Sequence, residues 1–490
     1  MSVEQPVPHE QPVQWVSMWQ THKTIHPRWF WGRHAATRWL MVLLTQALFY
    51  GLPWLQWNDR PLVLFDLIER RFYLFAWVFH PQDLIYLTFL LIICALSLFL
   101  FTAVAGRVWC GFACPQTVYS QIFMGIERLV EGDRSARLKL DANPFGLRWW
   151  ARRPLKHGIW IAIALWTGFT FVGYFTPIRS LALEVFTLST GAWETFWVLF
   201  YSAATYGNAG FMREQLCKYL CPYARFQGAM FDHDSLIVSY DAARGEPRGT
   251  RGRKDNAAAR GLGACVDCSL CVQVCPTGID IRKGLQYECI SCGVCVDACN
   301  HMMDKMHYPR GLIRFTSENA LAAGQGSGAV WLSLLRPRVL IYSTVLWLLV
   351  CGVTLALVGR PDFRVDVVRD RTTLYRIATN GAIENVYRLQ LMNNSEHPLE
   401  MLVQAEGLAG AHVVEHTVWN LAPAQSQWVV VHAQADENLK PGSHPMQLVV
   451  SALRTDEAAV NDDVESQDIV PRVRRAVEQR SEKTVFFVPR

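Results

Sequence analysis

Histidine is absent from the interior of the long apolar runs of this 490-residue sequence, and only His157 lies at the edge of one. Membrane haems are held by axial ligands such as paired histidines, so haem-based electron transfer within these runs is disfavoured. Cysteine is absent from about Gly359 onward, and no catalytic cluster is evident there. This C-terminal region is therefore expected to serve docking or stability rather than chemistry.

A signal peptide is also missing from the start of the sequence. The first 38 residues are polar and aromatic, and the first apolar run comes late and has no small-residue cleavage site. The Arg- and Gly-rich stretch 242–263 lacks the aromatic side chains on which nucleic-acid bases stack. We therefore expect no cleaved leader and no nucleic-acid partner, and we interpret 242–263 as a flexible basic linker.

Hydrophobic residues are abundant, because they make up 51% of the sequence and include 19 tryptophans. A bilayer is crossed by about 20 apolar residues, and on that basis the sequence predicts five spans. They are 39–55, 84–105, 158–177, 192–211 and 339–358. The apolar run 62–79 carries charged residues close together. Since buried charges are costly, this run is expected to be an interfacial or loop segment.

Basic side chains are distributed unevenly among the loops between the predicted spans. The loop 106–157 has nine Lys and Arg residues and the loop before the fifth span has sixteen, whereas the loop after the third span has one. Short loops rich in Lys and Arg stay in the cytoplasm. The sequence therefore predicts that the N-terminus and the cysteine-rich loops are cytoplasmic and that the C-terminal region lies outside.

Eight of the 14 cysteines lie in two copies of C-x2-C-x2-C-x3-C. In proteins with two clusters and this spacing, three thiolates bind one [4Fe–4S] cube and the fourth binds the other cube. The spacing therefore predicts two [4Fe–4S] clusters with crossed ligands. Zinc is disfavoured, because its structural sites typically use separated C-x2-C pairs. The cluster-one set is Cys265, Cys268, Cys271 and Cys299, and the cluster-two set is Cys289, Cys292, Cys295 and Cys275.

Four further cysteines lie in two copies of C-x3-C-P, "CGFACP" and "CKYLCP", each after a predicted span. Residues i and i+4 share a helix face, and proline ends or kinks a helix. The two cysteine side chains of each pair are therefore expected to point in the same direction near the end of a helix. Soft thiolates favour Cu(I), zinc or iron–sulfur clusters. A third cluster, a copper site, a redox-active dithiol and simple packing remain open. This thiol quartet is Cys110, Cys114, Cys217 and Cys221.

Histidine and methionine crowd together directly after the second ferredoxin repeat. Thioether and imidazole groups suit copper, and surface packing against the clusters is the alternative. The candidate copper ligands are His301, Met302, Met303, Met306 and His307.

The fold class that these patterns predict combines three parts. They are a membrane α-helical part with five spans, a cytoplasmic dicluster ferredoxin-like α+β module and a C-terminal all-β immunoglobulin-like sandwich. The sandwich is predicted from six or more short β-rich runs separated by Gly, Pro, Asn and Asp. The predicted boundaries are 1–38 for a cytoplasmic N-terminal segment, 39–211 for a four-span membrane domain, 212–338 for the ferredoxin module and its basic linker, 339–358 for the fifth span and 359–490 for the sandwich.

Five stretches of the sequence resemble the CcoG/FixG/RdxA family, which are accessory proteins of cbb3-type cytochrome oxidase. They are "VWCGFACPQTVY", "CKYLCPYARFQGAMFD", "LIVSYDAARGEPRG", "CVQVCPTGIDIRKGLQYECI" and "MDKMHYPRGLIRF". The resemblance covers nearly the whole chain, including the immunoglobulin-like region. It implies a role in copper delivery, in which Cu(II) is reduced to Cu(I) on the cytoplasmic side at or near the thiol quartet.

The leading hypothesis is a multi-pass iron–sulfur protein of the bacterial inner membrane that acts as a metal-ion oxidoreductase of the cupric reductase type. The expected partners are oxidase subunits or their copper-delivery factors and a cytoplasmic electron donor, and a homodimer is left open. One alternative is a non-enzymatic assembly scaffold whose periplasmic domain docks on the oxidase. Another is a quinol-linked electron carrier similar to the membrane ferredoxins of the nitrate and nitrous oxide systems.

Overall fold

The computed structural model describes residues 24–58, 60–253, 255, 260–324, 335–369, 374–378, 381–414, 418–435, 439–454 and 475–489. The chain divides into two compact units. One consists of residues 1–45, 99–164 and 203–339, and the other of residues 46–98, 165–202 and 340–490.

Helices contain most of the long apolar runs of the chain and some of its cysteines. In chain order the α-helices are α1 Arg33–Gly51, α2 Leu84–Ala105, α3 Val108–Phe112, α4 Pro115–Glu131, α5 Arg134–Ala142, α6 Leu147–Val172, α7 Ile178–Thr187, α8 Ala192–Gly207, α9 Arg213–Gln215, α10 Pro222–Met230, α11 Ala242–Gly245, α12 Leu270–Gln273, α13 Val294–Met306, α14 Glu318–Ala322 and α15 Pro337–Val358. Two π-helical segments, Asn208–Met212 and Leu216–Leu220, flank α9, and 3₁₀ turns cover Leu52–Trp54, Pro81–Asp83 and Ile281–Lys283.

Three helices of the described residues are long and apolar enough to span a membrane. They are α2 with its preceding turn (Pro81–Ala105), α6 and α15. In α2, no residue of an apolar stretch of 18 residues is buried inside the protein, and in α15 only 6% of such a stretch is buried. A lipid environment would cover these apolar side chains. Helices α1 and α8 do not meet this standard. Helix α8 has 16 residues, which at about 1.5 Å per residue is shorter than a hydrocarbon core of about 30 Å. Five spans therefore stay a prediction.

Strands are concentrated in the C-terminal part of the chain. In chain order they are β1 Gln56–Trp57, β2 Arg60–Pro61, β3 Val63–Asp66, β4 Arg71–Leu74, β5 Trp77–Phe79, β6 Ile237–Tyr240, β7 Ile313–Thr316, β8 Phe363–Arg369, β9 Arg376–Ile377, β10 Ile383–Asn393, β11 Leu399–Glu406, β12 His412–Val413, β13 Val418–Leu421, β14 Ser426–Ala435, β15 Gly442–Arg454 and β16 Arg475–Val488. The charged apolar run 62–79 forms the antiparallel sheet β3-β4-β5 and is no membrane helix.

Two antiparallel sheets face each other in the C-terminal region. One has the order β12-β14-β10-β8, with β9 beside β10, and the other the order β13-β11-β15-β16. Tyr387, Leu389 and Leu391 of β10 are fully buried, and so are Leu448 and Val450 of β15. All five belong to one core between the sheets, because alternate residues of a strand point to the same side. The structure thus confirms the predicted sandwich.

The ferredoxin module is built on a small frame of secondary structure. Strands β6 and β7 form an antiparallel pair, and helices α12 and α13 each begin inside one of the two cysteine repeats. The core around this frame includes the buried side chains of Val238, Leu312 and Ile313 together with several of the cysteines. Most of the cysteines of the two repeats therefore line the interior of the module.

Candidate functional site

The cluster-one set surrounds one apolar cavity in the ferredoxin module. Cys265, Cys268, Cys271 and Cys299 all line it, with Leu312 and other aliphatic side chains between them. Three of the four cysteines are buried, whereas Cys268 is exposed. The structure therefore brings together the four side chains that the spacing assigned to cluster one and leaves one edge of this site open to solvent.

The cluster-two set surrounds a second cavity. Cys275, Cys289, Cys292 and Cys295 line it among aliphatic side chains, and Cys271 of the other set reaches it as well. Because Cys271 lines both cavities, the two sites adjoin. The crossed ligand sets predicted from the repeats are thus brought together in space, with Cys275 among the thiols of the second repeat.

Both cysteine loops owe their shape to matching backbone conformations. The residues before and after the second cysteine have positive φ in each repeat, with values of 49° and 53° at Asp267 and Ser269 and 51° and 73° at Ser291 and Gly293. Left-handed residues turn the chain sharply, so successive thiols face inward toward one cavity. At Gly293 a Cβ atom would lie 2.7 Å from the ring of His34, which explains why glycine occupies that position.

The residues of both cavities fit [4Fe–4S] clusters. A cube takes its four thiolates on different irons, and each cavity is lined by the four cysteines of one predicted set. Burial raises the pKa of the thiols of Cys271, Cys289 and Cys299 to about 12. Thiolates at these positions therefore depend on the positive charge of bound iron, which couples cluster binding to proton release.

The C-x3-C-P cysteines do not lie on continuous helices, so the expected i and i+4 arrangement on one helix face is wrong. Cys110 lies in α3, whereas Cys114 is extended, with φ −60° and ψ 128°, and Pro115 begins α4. Proline disfavours the helical conformation in the preceding residue and is favoured as the first residue of a helix, where it needs no N–H partner. The proline therefore starts a helix rather than ending the span.

The second copy repeats this geometry. Cys217 lies in the π-helical segment Leu216–Leu220, Cys221 is extended, with φ −74° and ψ 110°, and Pro222 begins α10. In both copies the second cysteine thus occupies the position just before a helix, where its carbonyl accepts the first helical hydrogen bond. In the first copy that bond runs from the N–H of Val118 to the carbonyl of Cys114 over 2.9 Å.

The four thiols of the quartet are close enough to act on one another electrostatically. Cys110 is influenced by Cys114 and Cys217, and Cys114 is influenced by Cys221. All four are half-buried, and burial raises the pKa of Cys110 to about 12 and that of Cys217 to about 11. The Cys110 thiol also donates a 3.5 Å hydrogen bond to Oε1 of Gln227. The two copies of the motif therefore lie next to each other in the structure.

The thiol quartet adjoins the cluster-two set. Cys110 packs against the apolar group that contains Ile290 and Cys292, and Cys217 shares a small cavity with Ile290. A Cβ atom on Gly111 would lie 2.6 Å from the carbonyl oxygen of Ile290 and 3.1 Å from the Cα of Cys292. Glycine therefore lets the first motif approach the loop that carries a cluster-two ligand.

The predicted His and Met ligands differ in their surroundings. His301, Met302, Met303 and Met306 lie on α13, and His307 follows that helix. Met303 is buried beside the cluster-one cavity, which Met302 also lines, whereas His301 and His307 are exposed. Packing against the cluster-one cavity accounts for the two methionines.

A buried ion network links α4, after the first C-x3-C-P copy, to α9, before the second. Glu127 Oε1 accepts a hydrogen bond from Nη2 of Arg213 at 2.6 Å, and its other oxygen accepts one from Nη1 of Arg137 at 3.0 Å. Lys156 Nζ lies 3.0 Å from Glu131 and 4.0 Å from Glu127. Burial alone would raise the pKa of Glu127, but the neighbouring cations overcome it and hold that pKa below its usual value.

Three parts of the chain match models of known protein families. Residues 212–318 match a model described as a 4Fe-4S dicluster domain, and residues 87–131 match one described as a 4Fe-4S binding domain. Residues 353–489 match a model described as an IG-like fold at the C-terminal of FixG. The first two matches include every cysteine of the cluster sets and of the quartet, so iron–sulfur binding is a property of this part of the chain.

Curated relatives match this chain over most of its length. The nitrogen fixation protein FixG of Rhizobium meliloti is 38% identical over 427 residues, which cover 80% of this chain and 81% of FixG. Protein RdxA of Cereibacter sphaeroides is 41% identical over 398 residues, which cover 79% and 83%. Protein RdxB of the same organism is 39% identical over 389 residues, which cover 77% and 80%. The chain therefore belongs to the FixG/RdxA family of iron–sulfur proteins.

Proposed function

We propose that this protein is a cupric reductase of the bacterial inner membrane that supplies Cu(I) to the copper site of a cbb3-type cytochrome oxidase. The observation that carries the proposal is the contact between the thiol quartet and the cluster-two set, in which Gly111 meets the loop of Cys292. Bound [4Fe–4S] clusters supply one-electron transfer. A metal-binding site directly beside such a cluster is suited to reduce the metal that it binds.

The chemistry of the quartet favours the reduced form of copper. Thiolates are soft ligands that prefer Cu(I), so the binding of copper by these cysteines makes its reduction more favourable. Each Cu(II) ion takes up one electron and becomes Cu(I), and a one-electron donor of the cytoplasm is oxidised in turn. Cys268 is exposed, so the cluster-one set offers this donor an accessible edge.

The chain has a definite orientation in the membrane and definite partners in this function. The N-terminus, the ferredoxin module and the quartet lie in the cytoplasm, and the immunoglobulin-like domain lies in the periplasm. There it contacts oxidase subunits or their copper-delivery factors. The uneven distribution of Lys and Arg among the loops supports this orientation.

Substitution of the quartet tests the proposal. The double variant Cys110→Ser, Cys217→Ser should lose Cu(II) reduction by the purified protein while its iron and sulfide content stays unchanged. The matched control is Cys94→Ser, which changes an exposed thiol of the span α2 and should retain full activity. Undiminished reduction in the double variant would contradict the proposal.

A second candidate function is supported by the match of residues 87–131 to a 4Fe-4S binding domain. In this alternative the quartet holds a third cluster, and the protein is an electron carrier. Metal analysis of anaerobically purified protein separates the two. Loss of four irons per chain on removal of the quartet, at about four irons per cube, supports the third cluster, and unchanged iron content with loss of bound copper supports the reductase.

A further inference from the structure

Arg38 is a buried cation beside the cluster-two set. Its side chain in α1 is 3% exposed, and it lines a cavity together with Pro276 and Thr277, which directly follow Cys275. The Nε atom has no hydrogen-bond partner within the described part of the chain. Cys292 and Cys275 are the ionisable side chains that interact electrostatically with the guanidinium.

Arg107 brings a second buried cation to the same site. It is 5% exposed, and its guanidinium donates hydrogen bonds to backbone carbonyls, those of Tyr287, of Cys289 at 3.5 Å and of Ala224 at 3.0 Å. These acceptors are neutral. The positive charge of Arg107 is therefore retained next to Cys289 and also acts on Cys110 of the quartet.

Asp297 is an acid near the start of α1 that is already engaged. The Asp297 carboxylate, in α13, accepts a hydrogen bond of 3.0 Å from the backbone N–H of Ala35 and lies 2.8 Å from Nδ1 of His34. The Asp297 carboxylate therefore faces the first turn of α1, where Ala35 and His34 are its partners.

The cluster-one cavity has a different electrostatic environment. Arg282 lines it, but its guanidinium pairs with Asp280 at 2.7 Å and with Asp267 at 2.5 Å. Arg251 donates to the carbonyl of Cys265 at 3.3 Å and adds one positive charge. Two cations and two carboxylates thus form the surroundings of cluster one. Beside cluster two, Glu214 lines the cavity of Arg38 and Glu288 pairs with Lys218 at 3.5 Å, but within the described residues neither Arg38 nor Arg107 forms an ion pair with a carboxylate.

From this contrast we infer that Arg38 and Arg107 raise the reduction potential of cluster two above that of cluster one. A cluster gains negative charge on reduction, and net charge and hydrogen bonding around it set its potential. A buried cation stabilises the reduced form strongly, because burial weakens screening by solvent and salt. With this order of reduction potentials the electron resides on cluster two, which adjoins the thiol quartet. In this respect the inference rests on the proposed function.

The experiment is a potentiometric titration of the purified full-length protein followed by EPR spectroscopy. In Arg38→Gln the more positive of the two reduction waves should shift to lower potential, with about a tenfold change in the equilibrium constant, or about 59 mV for one electron. Arg38→Lys keeps the charge and should retain the wild-type midpoint. Arg282→Gln should shift the more negative wave instead, because it leaves Asp280 and Asp267 unpaired. Iron and sulfide content verifies that both clusters are present.

Three results would overturn the inference. They are unchanged midpoints in Arg38→Gln, a shift of the more negative wave in that variant, and an equal shift in Arg38→Lys. Arg38→Met, which keeps an unbranched apolar stem, replaces Arg38→Gln if that variant loses iron. Cupric reduction measured on the same samples separates the two ideas. A shifted wave without copper reduction in the wild type rejects only the proposed function, and copper reduction without a shifted wave rejects only this inference.

Discussion

The buried ion network of Glu127 gives a quantitative prediction for stability. Glu127→Gln keeps the size of the side chain but removes the carboxylate that pairs with Arg213 at 2.6 Å and Arg137 at 3.0 Å. The side chains of these three residues are at most 9% exposed, and removal of one partner of a buried pair costs about 3–5 kcal/mol. Because Glu131 still pairs with Lys156, we expect a loss near the lower limit, about 3 kcal/mol.

Thermal unfolding in detergent measures this loss. For a unit of this size, about 3 kcal/mol corresponds to a melting temperature lower by roughly 6–12 °C. The matched control is Glu318→Gln, which changes an exposed carboxylate that contacts His233 and should melt as the wild type does. Equal melting of Glu127→Gln and this control would refute the reasoning.

The pH dependence has a definite sign. The pKa of Glu127 is held below its usual value in the folded protein, so its contribution to stability is complete above the usual carboxyl pKa of about 4.3. That contribution is lost as the pH falls through the lowered value of the folded state. The difference in melting temperature between wild type and Glu127→Gln should therefore be constant near neutral pH and shrink in acid.

Two further substitutions have expected outcomes. Gly111→Ala would place a Cβ 2.6 Å from the carbonyl oxygen of Ile290, and overpacking of this kind costs about 1–3 kcal/mol, so the iron content of the purified variant should fall. The control Gly228→Ala, whose Cβ meets nothing within 4 Å, should retain all iron. Equal iron content in both variants would argue against the close approach of Gly111 to Ile290. Glu396→Gln should weaken the 2.8 Å hydrogen bond that Nε1 of Trp57 donates to this side chain. A loss of about 1 kcal/mol should speed amide hydrogen exchange in the β1–β2 hairpin about fivefold. Unchanged exchange would contradict a stabilising role of Glu396 for this hairpin.

The cysteine repeats allowed the candidate cluster sites to be predicted in detail. The crossed assignment places Cys275 with the second repeat, and in the structure Cys275 lines the same cavity as Cys289. The spacing is informative because four thiolates must reach one cube from a short loop and one distant residue. The sandwich was predictable for a similar reason, since alternation along each strand determines which residues are buried.

The arrangement of the quartet was predicted only in part. The repetition of C-x3-C-P indicates that the four thiols meet, but helical i and i+4 spacing does not hold across a residue that precedes proline. The conformational restriction before proline was visible in the sequence at Cys114 and Cys221, and it outweighs helical spacing. Arg38 ends the polar N-terminal segment and Arg107 lies in the basic loop 106–157, and no local pattern in the sequence distinguishes a buried arginine from an exposed one.

In the proposed function, the position of Cys114 and Cys221 just before helices affects the rate of electron transfer at the quartet. The backbone N–H groups of Gln116 and Thr117 face the sulfur of Cys114, and the covalent chain fixes their orientation. Dipoles that are already aligned need little movement when the charge at the quartet changes by one electron. The reorganisation energy of a metal bound there should therefore be small, so that both of its oxidation states are accommodated by nearly the same backbone.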